Sequence, residues 1–343
     1  MATWWHGALA AFGLLSSTSQ AGDFSQYEEL SALIEQLEAS KVYAPGELTT
    51  LFEQVNRQPK VLESIARPAE KSKEWREYRP IFMTESRIKD GLSFWNEHQD
   101  TLARAEKTFG VPASMIVAIL GVETKYGYHT GSHPVIESPA TLGFDYPPRA
   151  PFFRKELREF LILTKQNGMD PLAIKGSYAG AMGFPQFMPS SWRNLAVDFD
   201  GDNRIDLINN PVDAIGSIAN YFKGNGWRSN ELVAVRARLT NQSYDNATST
   251  ELKTVSTLAQ LATQGIAPLQ ALELPASTPV SGIRLQGMNG GEFWIGFNNF
   301  YVITRYNRSI LYAMAALQLS QALEAAKQER NQAAAATGVN LLP

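Results

Sequence analysis

Apolar residues recur along the first third of this chain at helical spacing. Between Phe24 and Ser40, Leu30, Leu33, Ile34 and Leu37 form one stripe, which predicts an amphipathic helix. Pro45-Gly46-Glu47 opens a second helix, with Leu48, Leu51, Phe52 and Val55 on its apolar side. Ser86 to Phe109 reads as one long helix carrying Leu92, Trp95, Leu102 and Ala105. The next run, Val111 to Gly127, is apolar almost throughout. Pro112 suits its start, and Gly127 suits its end. A loop rich in Gly, Pro and His follows to about residue 138. Pro151 to Asn167 is again helical, with Phe152, Phe153, Leu157, Phe160, Leu161 and Leu163.

The texture changes after Gly226-Trp227. Leu232 to Leu239 alternates as a strand does. A short helix is predicted over Thr257 to Thr263. Short strands are predicted at Leu272–Leu274, Val280–Leu285, Glu292–Phe297 and Tyr301–Thr304, with Pro and Gly between them. A last helix runs from about Arg308 to Arg330, before an Ala-rich, flexible tail over 331–343. The pattern predicts a mainly helical α+β protein with a small antiparallel β module and no internal repeat.

Within the apolar run one residue is out of place. On a helix, Glu123 lies one turn from Ile119 and two turns from Ile116, on their face. A carboxyl against apolar neighbours has its charged form disfavoured, which suits a general acid working near neutral pH. The plainer alternatives are an exposed glutamate near a helix end and an ion pair with Lys125.

The residues around Glu123, Gly121-Val122-Glu123-Thr124-Lys125-Tyr126-Gly127, resemble the signature around the catalytic glutamate of lytic murein transglycosylases of the B type. Three further blocks continue the resemblance in order, Ala140–Ala150, Gly176–Ser191 and Asn298–Asn307. The resemblance as a whole covers about residues 75 to 318. The resemblance implies a lysozyme-like helical core at 86–227, completed by 298–312. An extra helical domain at 22–85 is expected to be joined by the helix at 308–330, and the β module fills 228–297.

Enzymes that cut sugar bonds usually place two carboxylates across the scissile bond. Asp145 and Glu137 are the nearest candidates, and neither sits in a pattern that suggests a nucleophile or a water-activating base. The resemblance implies a single acid. Glu123 would protonate the oxygen between N-acetylmuramic acid and N-acetylglucosamine, then take the proton of the C6 hydroxyl as it closes on C1. A 1,6-anhydro end results, and no water is consumed. A hydrolytic, lysozyme-type muramidase and a non-catalytic peptidoglycan-binding scaffold are the competing readings. The resemblance also assigns substrate contacts to Tyr78, Ser177, Gln186, Tyr306, Asn307 and Tyr312. Arg149 could meet acidic groups of the substrate, and Phe187 could stack on a sugar or belong to the core. Gly176, Gly180 and Gly183 would let backbone approach a ligand.

Asp198-Phe199-Asp200-Gly201-Asp202-Asn203-Arg204-Ile205-Asp206 sets carboxylates at alternating positions, as in an EF-hand loop. Asp198, Asp200, Asp202 and Asp206 with the Arg204 carbonyl would hold a structural calcium ion. Asn203 stands where that loop has glycine, and Asn209 where it has the bidentate glutamate. The resemblance offers Asp213 as the closing carboxylate. An acidic surface loop is the alternative. His129 and His133 lie four apart in a loop without a third ligand nearby, which does not make a metal site.

Composition narrows the partners. The chain has 343 residues, 44% hydrophobic and 19% charged, with a net charge of −3, an ordinary globular balance without a basic nucleic-acid footprint. There is no cysteine, so disulfides, a cysteine nucleophile and the lipidated N-terminal cysteine of many such enzymes are excluded. The apolar run Ala8–Leu15 and Ser19-Gln20-Ala21 read as a signal peptide over residues 1–21, although no Lys or Arg precedes the run. The expectation is a soluble, monomeric periplasmic enzyme needing no cofactor for catalysis. Its partners would be peptidoglycan glycan strands and proteins of cell-wall synthesis or remodelling.

Overall fold

The computed structural model describes residues 22–66, 73–241, 244–249 and 252–337. Residues 1–21, the segment expected to be a signal peptide, lie outside them. The chain divides into two compact units, Met1–Arg57 and Gln58–Pro343.

In the first unit the helices are Glu28–Ala39 and Glu47–Phe52. Leu30, Leu33 and Leu37 are buried as the stripe requires, with Phe24, Tyr43, Leu48, Phe52 and Val55. Residues 22–27 are turns rather than helix, because Ser25 N–H and Tyr27 N–H donate back three residues, to the Gly22 and Phe24 carbonyls.

The second unit is built on the Ala113–Thr124 helix, buried from Ala113 to Gly121 without interruption. Such a helix has no solvent face and belongs at the centre of a core. Around it lie Glu85–Glu97, Gln99–Phe109, Pro211–Gly224 and Ile310–Thr337. The long helix expected over 86–109 is two helices, broken at His98, which leaves the helical region (φ −110°, ψ 26°). The final helix continues to Thr337, beyond the expected end at Arg330. Its alanines favour helix strongly, so an Ala-rich stretch need not be a loose tail. Residues 338–343 lie outside the described segments.

The loop expected up to residue 138 contains order. His133–Pro134 pairs antiparallel with Lys175–Gly176, and a helix runs over Glu137–Asp145. The Ala150–Gln166 helix follows and packs against it. In the β module, five antiparallel strands lie in the order Ser256–Thr257, Pro279–Gly287, Gly290–Gly296, Ala234–Leu239, Ile266–Pro268. Their inner face packs Val280, Ile295, Leu261, Ile266 and Phe297. Two expected strands are not strands. Leu272–Leu274 is irregular, and Tyr301–Thr304 lies in the helix Asn298–Tyr306. A short apolar run does not separate strand from helix by period. Here Phe300, Val302 and Ile303 are buried in the helical core, and that packing decides the conformation.

Candidate active site

Glu123 stands at the open end of the buried helix. Pro112 is the N-cap rather than the first helical residue, and the Ala113 N–H is accepted by the Glu106 carboxylate at 3.2 Å. The helix stops earlier than Gly127. Lys125 and Tyr126 both turn left-handed (φ 50° and 62°), and Tyr126 N–H donates back to the Leu120 carbonyl at 3.0 Å. Thr124 fixes this end. Its Oγ1 lies 3.0 Å from the Phe184 carbonyl and accepts the Gly127 N–H at 3.0 Å. The Glu123 carboxyl is thus carried on a rigid element tied to the Gly183–Gln186 loop. Lys125 pairs with Asp90 (3.6 Å) rather than with Glu123.

Tyr312, at the start of the Ile310–Thr337 helix, donates its hydroxyl to Glu123 Oε1 at 2.6 Å. Ser309 Oγ accepts the Tyr312 N–H at 3.2 Å and sets that helix start. Tyr306 stacks on Tyr312 with centroids 6.5 Å apart and planes within 9°. Tyr306 donates to the Pro185 carbonyl and Tyr221 to the Arg305 carbonyl, both at 2.6 Å. Burial first, and then the Glu123 charge, push the Tyr306 and Tyr312 hydroxyls well above the usual phenol range. Burial pushes Tyr221 up to about 12, with Arg305 opposing and Glu123 adding. All three phenols therefore stay protonated donors at any physiological pH. Of the three, only Tyr312 is aimed at Glu123.

A groove of about 880 Å³ opens over this end of the helix. It brings together six of the residues singled out in the sequence, Glu123, Arg149, Ser177, Gln186, Tyr306 and Asn307. Gln186 adopts a left-handed backbone (φ 50°), and its amide nitrogen donates to the Thr130 and Gly183 carbonyls, both at 2.9 Å. That fixes the flip of the amide and leaves its carbonyl oxygen as the acceptor facing a ligand. Ser177 Oγ accepts the Ala179 and Ala181 N–H groups at 3.3 and 3.0 Å, so its hydroxyl holds a turn and keeps its own proton to donate. Asn307 ends the Asn298–Tyr306 helix in extended backbone (φ −135°, ψ 125°). Arg149 lies over Phe152 (4.4 Å) and Phe153 (5.0 Å) on the exposed rim, stacked on rings rather than held in a surface ion pair.

Three expected contacts, Tyr312, Tyr78 and Phe187, do not line the groove; Tyr312 acts through Glu123, and Tyr78 lies close enough to Tyr312 for its charge to be felt there. Tyr78 and Phe187 are each 2% exposed and line no part of this groove. Tyr78 packs on Phe82 (5.1 Å), and Phe187 packs under Tyr221 (5.4 Å) and Tyr306 (5.8 Å). Phe187 supports the tyrosines rather than a sugar. The close approach allowed by the glycines is also internal. A Cβ on Gly183, whose φ is +69°, would meet the Leu207 carbonyl at 2.1 Å, and one on Gly176 the Ala181 carbonyl at 2.2 Å. Glu137 is buried and accepts from Gln58 Nε2 at 2.5 Å, and neither it nor Asp145 lines the groove.

Sequence reading missed Tyr221, Glu156, Arg305 and Arg308, which all line the groove. Arg305 adjoins the matched Tyr306-Asn307 pair and could have been found there. Tyr221 and Glu156 lie on helices that read as ordinary core. Glu156 is the second carboxylate at the groove, but it is 2% exposed and accepts both Ser190 N–H (2.9 Å) and Ser190 Oγ–H (2.7 Å).

The acidic loop has its own geometry. Asp198, Asp200 and Asp202 bring carboxylate oxygens within 4.8 Å of one another. Asn203 is left-handed (φ 69°), as a glycine would be at that position. Asp213 is fully buried and accepts Phe199 N–H at 2.7 Å and Asp206 N–H at 2.8 Å. Asp206 accepts Ile208 N–H (3.0 Å) and Asn209 N–H (2.9 Å). These two brace the loop from behind and are not among the clustered carboxylates. Three converging hard oxygens suit calcium.

A family model for the transglycosylase SLT domain matches residues 25–321. The chain is 40% identical over 315 residues to the membrane-bound lytic murein transglycosylase B of Escherichia coli, covering 89% of this chain and 85% of that protein. The soluble lytic transglycosylase SltB1 of Pseudomonas aeruginosa is 48% identical, with a TM-score of 0.82 over 88% of this chain and 99% of that one. An Escherichia coli lytic transglycosylase solved in complex with calcium is 40% identical, with a TM-score of 0.81 over 89% of this chain and 96% of that one. With its helical core, small antiparallel sheet and single carboxyl at the end of a buried helix, this chain belongs to the SLT-domain family of lytic murein transglycosylases.

Proposed function

We propose that this enzyme cleaves the bond between N-acetylmuramic acid and N-acetylglucosamine in peptidoglycan and leaves a 1,6-anhydro-muramoyl end. Glu123 acts alone. As an acid it gives its proton to the glycosidic oxygen, and the bond to C1 breaks. As a carboxylate it accepts the C6 hydroxyl proton, the C6 oxygen bonds to C1, and Glu123 is again protonated. A group reset in each turnover can serve twice, and an intramolecular hydroxyl gains from proximity. Tyr312 holds one Glu123 oxygen throughout. The observation that carries this reading is that the other groove carboxylate, Glu156, is buried and engaged by two donors from Ser190, so it is poorly placed to activate a water. Ser177, Gln186 and Asn307 offer hydroxyl, carbonyl and amide groups to the saccharide, and Arg149 a ring-stacked cation with no ion pair among the described residues.

The deciding experiment is the mass of products from purified murein. Anhydro ends are lighter than reducing ends by one water. Reducing ends would reassign the enzyme as a hydrolytic muramidase.

Asp198, Asp200 and Asp202 are proposed to hold a calcium ion that stiffens the loop and takes no part in the chemistry. Such an ion would relieve the repulsion among three close carboxylates. For the cell, the proposal is a soluble, monomeric periplasmic enzyme acting on glycan strands, with segment 1–21 as its signal and cell-wall proteins as further partners. Among the described residues no single helix is long and apolar enough to cross a membrane. The division into a helical domain at 22–85, a core at 86–227 and a β module at 228–297 is likewise our proposal.

A further inference from the structure

A second cleft of about 600 Å³ lies between the Trp75–Phe82 helix and the turn joining strands Pro279–Gly287 and Gly290–Gly296. It shares no lining residue with the Glu123 groove. The Ile310–Thr337 helix serves both, giving Tyr312 to Glu123 and Gln318 to this cleft. Six residues on a helix amount to about 9 Å along the axis and about 240° around it, so the two sites face different ways.

The lining is rich in groups that bind anionic saccharides. Three arginines, Arg76, Arg79 and Arg236, face one carboxylate, Glu292, in a chain whose net charge is −3. Arg236 is spoken for, since it pairs with Glu292 at 2.7 Å and lies 4.9 Å over the Trp294 ring. Arg76 pairs with Glu74 at 2.7 Å. Arg79 is different. Its Nε donates to Gln318 Oε1 at 2.6 Å, and among the described residues it has no ion-pair partner. With Nε taken by Gln318, its two terminal nitrogens are left to take a carboxylate end-on, and the neutral amide fixes the plane of the fork. Two indoles line the same cleft, and the N–H groups of both Trp75 and Trp294 are buried without an acceptor among the described residues. Buried polar groups in this state are rare, and here they lie beneath the cleft surface, which their rings help to form. Asn289 adds an exposed amide at the turn.

We propose that this cleft is a second murein-binding site, which holds a carboxylate-bearing stretch of glycan–peptide strand while another stretch occupies the catalytic groove. The proposal rests on murein being the substrate. Charge complementarity selects this occupant, because stem peptides carry free carboxylates and an unpaired guanidinium answers them.

The test uses the full chain carrying Glu123→Gln, so that strands are bound and not cut. Pelleting with purified murein sacculi is compared with pelleting on chitin, an uncharged polymer of the same amino sugar. Arg79→Ala should weaken binding to sacculi about ten-fold, the loss of one charge-assisted hydrogen bond, and leave chitin binding unchanged. Arg79→Lys should recover part of it, and exposed Asn289→Ala should weaken it less. In the otherwise native enzyme, Arg79→Ala should leave turnover of short soluble glycan fragments unchanged. Unaltered affinity for sacculi would overturn the site, and an equal loss on chitin would overturn its preference for carboxylates. A Glu123→Gln chain that does not pellet with sacculi at all would remove the substrate reading along with it. Product mass tests the reaction independently of all of these.

Discussion

Two acidic sites sit on one core and are built in opposite ways. At the end of the Ala113–Thr124 helix a single carboxyl, Glu123, is half-buried, and it accepts from a phenol hydroxyl, that of Tyr312, which does not ionise at physiological pH. In the loop after Asp198, three carboxylates crowd within 4.8 Å, mostly exposed, and backbone N–H groups hold them. A carboxyl held by a phenol that stays protonated can gain and lose a proton while its donor keeps its own. A cluster of carboxylates supplies concentrated negative charge that a hard cation neutralises. The difference shows that counting acidic residues does not find a proton-transfer site. What surrounds each acid does.

The largest expected effect breaks the comparison at Glu123. Glu123→Gln keeps the volume and removes the exchangeable proton, so turnover of purified murein should fall by at least about 10²–10⁴-fold. Circular dichroism should show the fold unchanged. Near-normal turnover by the folded variant would end the assignment.

Next in size is the phenol. Tyr312→Phe keeps the ring against Tyr306 and deletes the donor to Glu123 Oε1. A charge-assisted hydrogen bond is worth about 1.5–3 kcal/mol, so kcat should drop by roughly ten-fold or more, with KM little changed. A drop confined to KM would make Tyr312 a substrate contact rather than the group that positions Glu123.

The acidic loop should respond in stability instead of rate. Calcium bound to the folded state alone stabilises it by about 2.7 kcal/mol at one hundred times its dissociation constant. Calorimetry should show the melting temperature rising with calcium and falling with chelator. Asp198→Ala with Asp202→Ala should abolish that response while leaving turnover measurable well below the melting point. No shift at millimolar calcium would return the loop to an ordinary acidic turn. Lost turnover in the folded double variant would mean the loop shapes the groove.

The smallest effect sharpens the backbone side of the comparison. Asn203 is left-handed (φ 69°). Asn203→Ala should therefore cost about 1–2 kcal/mol in chemical denaturation. Asn203→Gly should cost little and keep the calcium response. Equal losses in both variants would mean that the Asn203 side chain, rather than its backbone, is what the loop needs.

Much of this was legible in the chain. The apolar run 111–127 announced a buried helix, and an acid within it stood out against Ile116 and Ile119. The resemblance supplied Ser177, Gln186, Tyr306 and Asn307, which the fold gathers at one groove. Tyr78 came by the same route and is buried, and of the two roles open to Phe187 the core is the one the packing gives, because an aromatic motif residue can serve a site by packing beneath it. Tyr221 went unnoticed because its helix, Pro211–Gly224, looks like any core helix, and only packing against Tyr306 and a hydrogen bond to the Arg305 carbonyl, both distant in sequence, bring it to the groove. Tyr301–Thr304 was misread as a strand because four residues do not hold a period.

By itself the sequence determined the elements whose signal is local and long. These are the amphipathic stripe from Leu30 to Leu37, the apolar helix behind Glu123, the alternation from Leu232 to Leu239, of which Ala234–Leu239 is strand, and the alternating aspartates from Asp198 to Asp206. Hydrophobic period and ligand spacing act between near neighbours, so they can be read in order along the chain. Tertiary structure alone decided which tyrosine faces Glu123, which carboxylate at the groove is already engaged, and that Asp206 and Asp213 brace the loop instead of joining its clustered oxygens. Each depends on atoms far apart in sequence, Tyr312 on Glu123 and Ser190 on Glu156. Such contacts are fixed by how helices pack, and no local pattern records that packing.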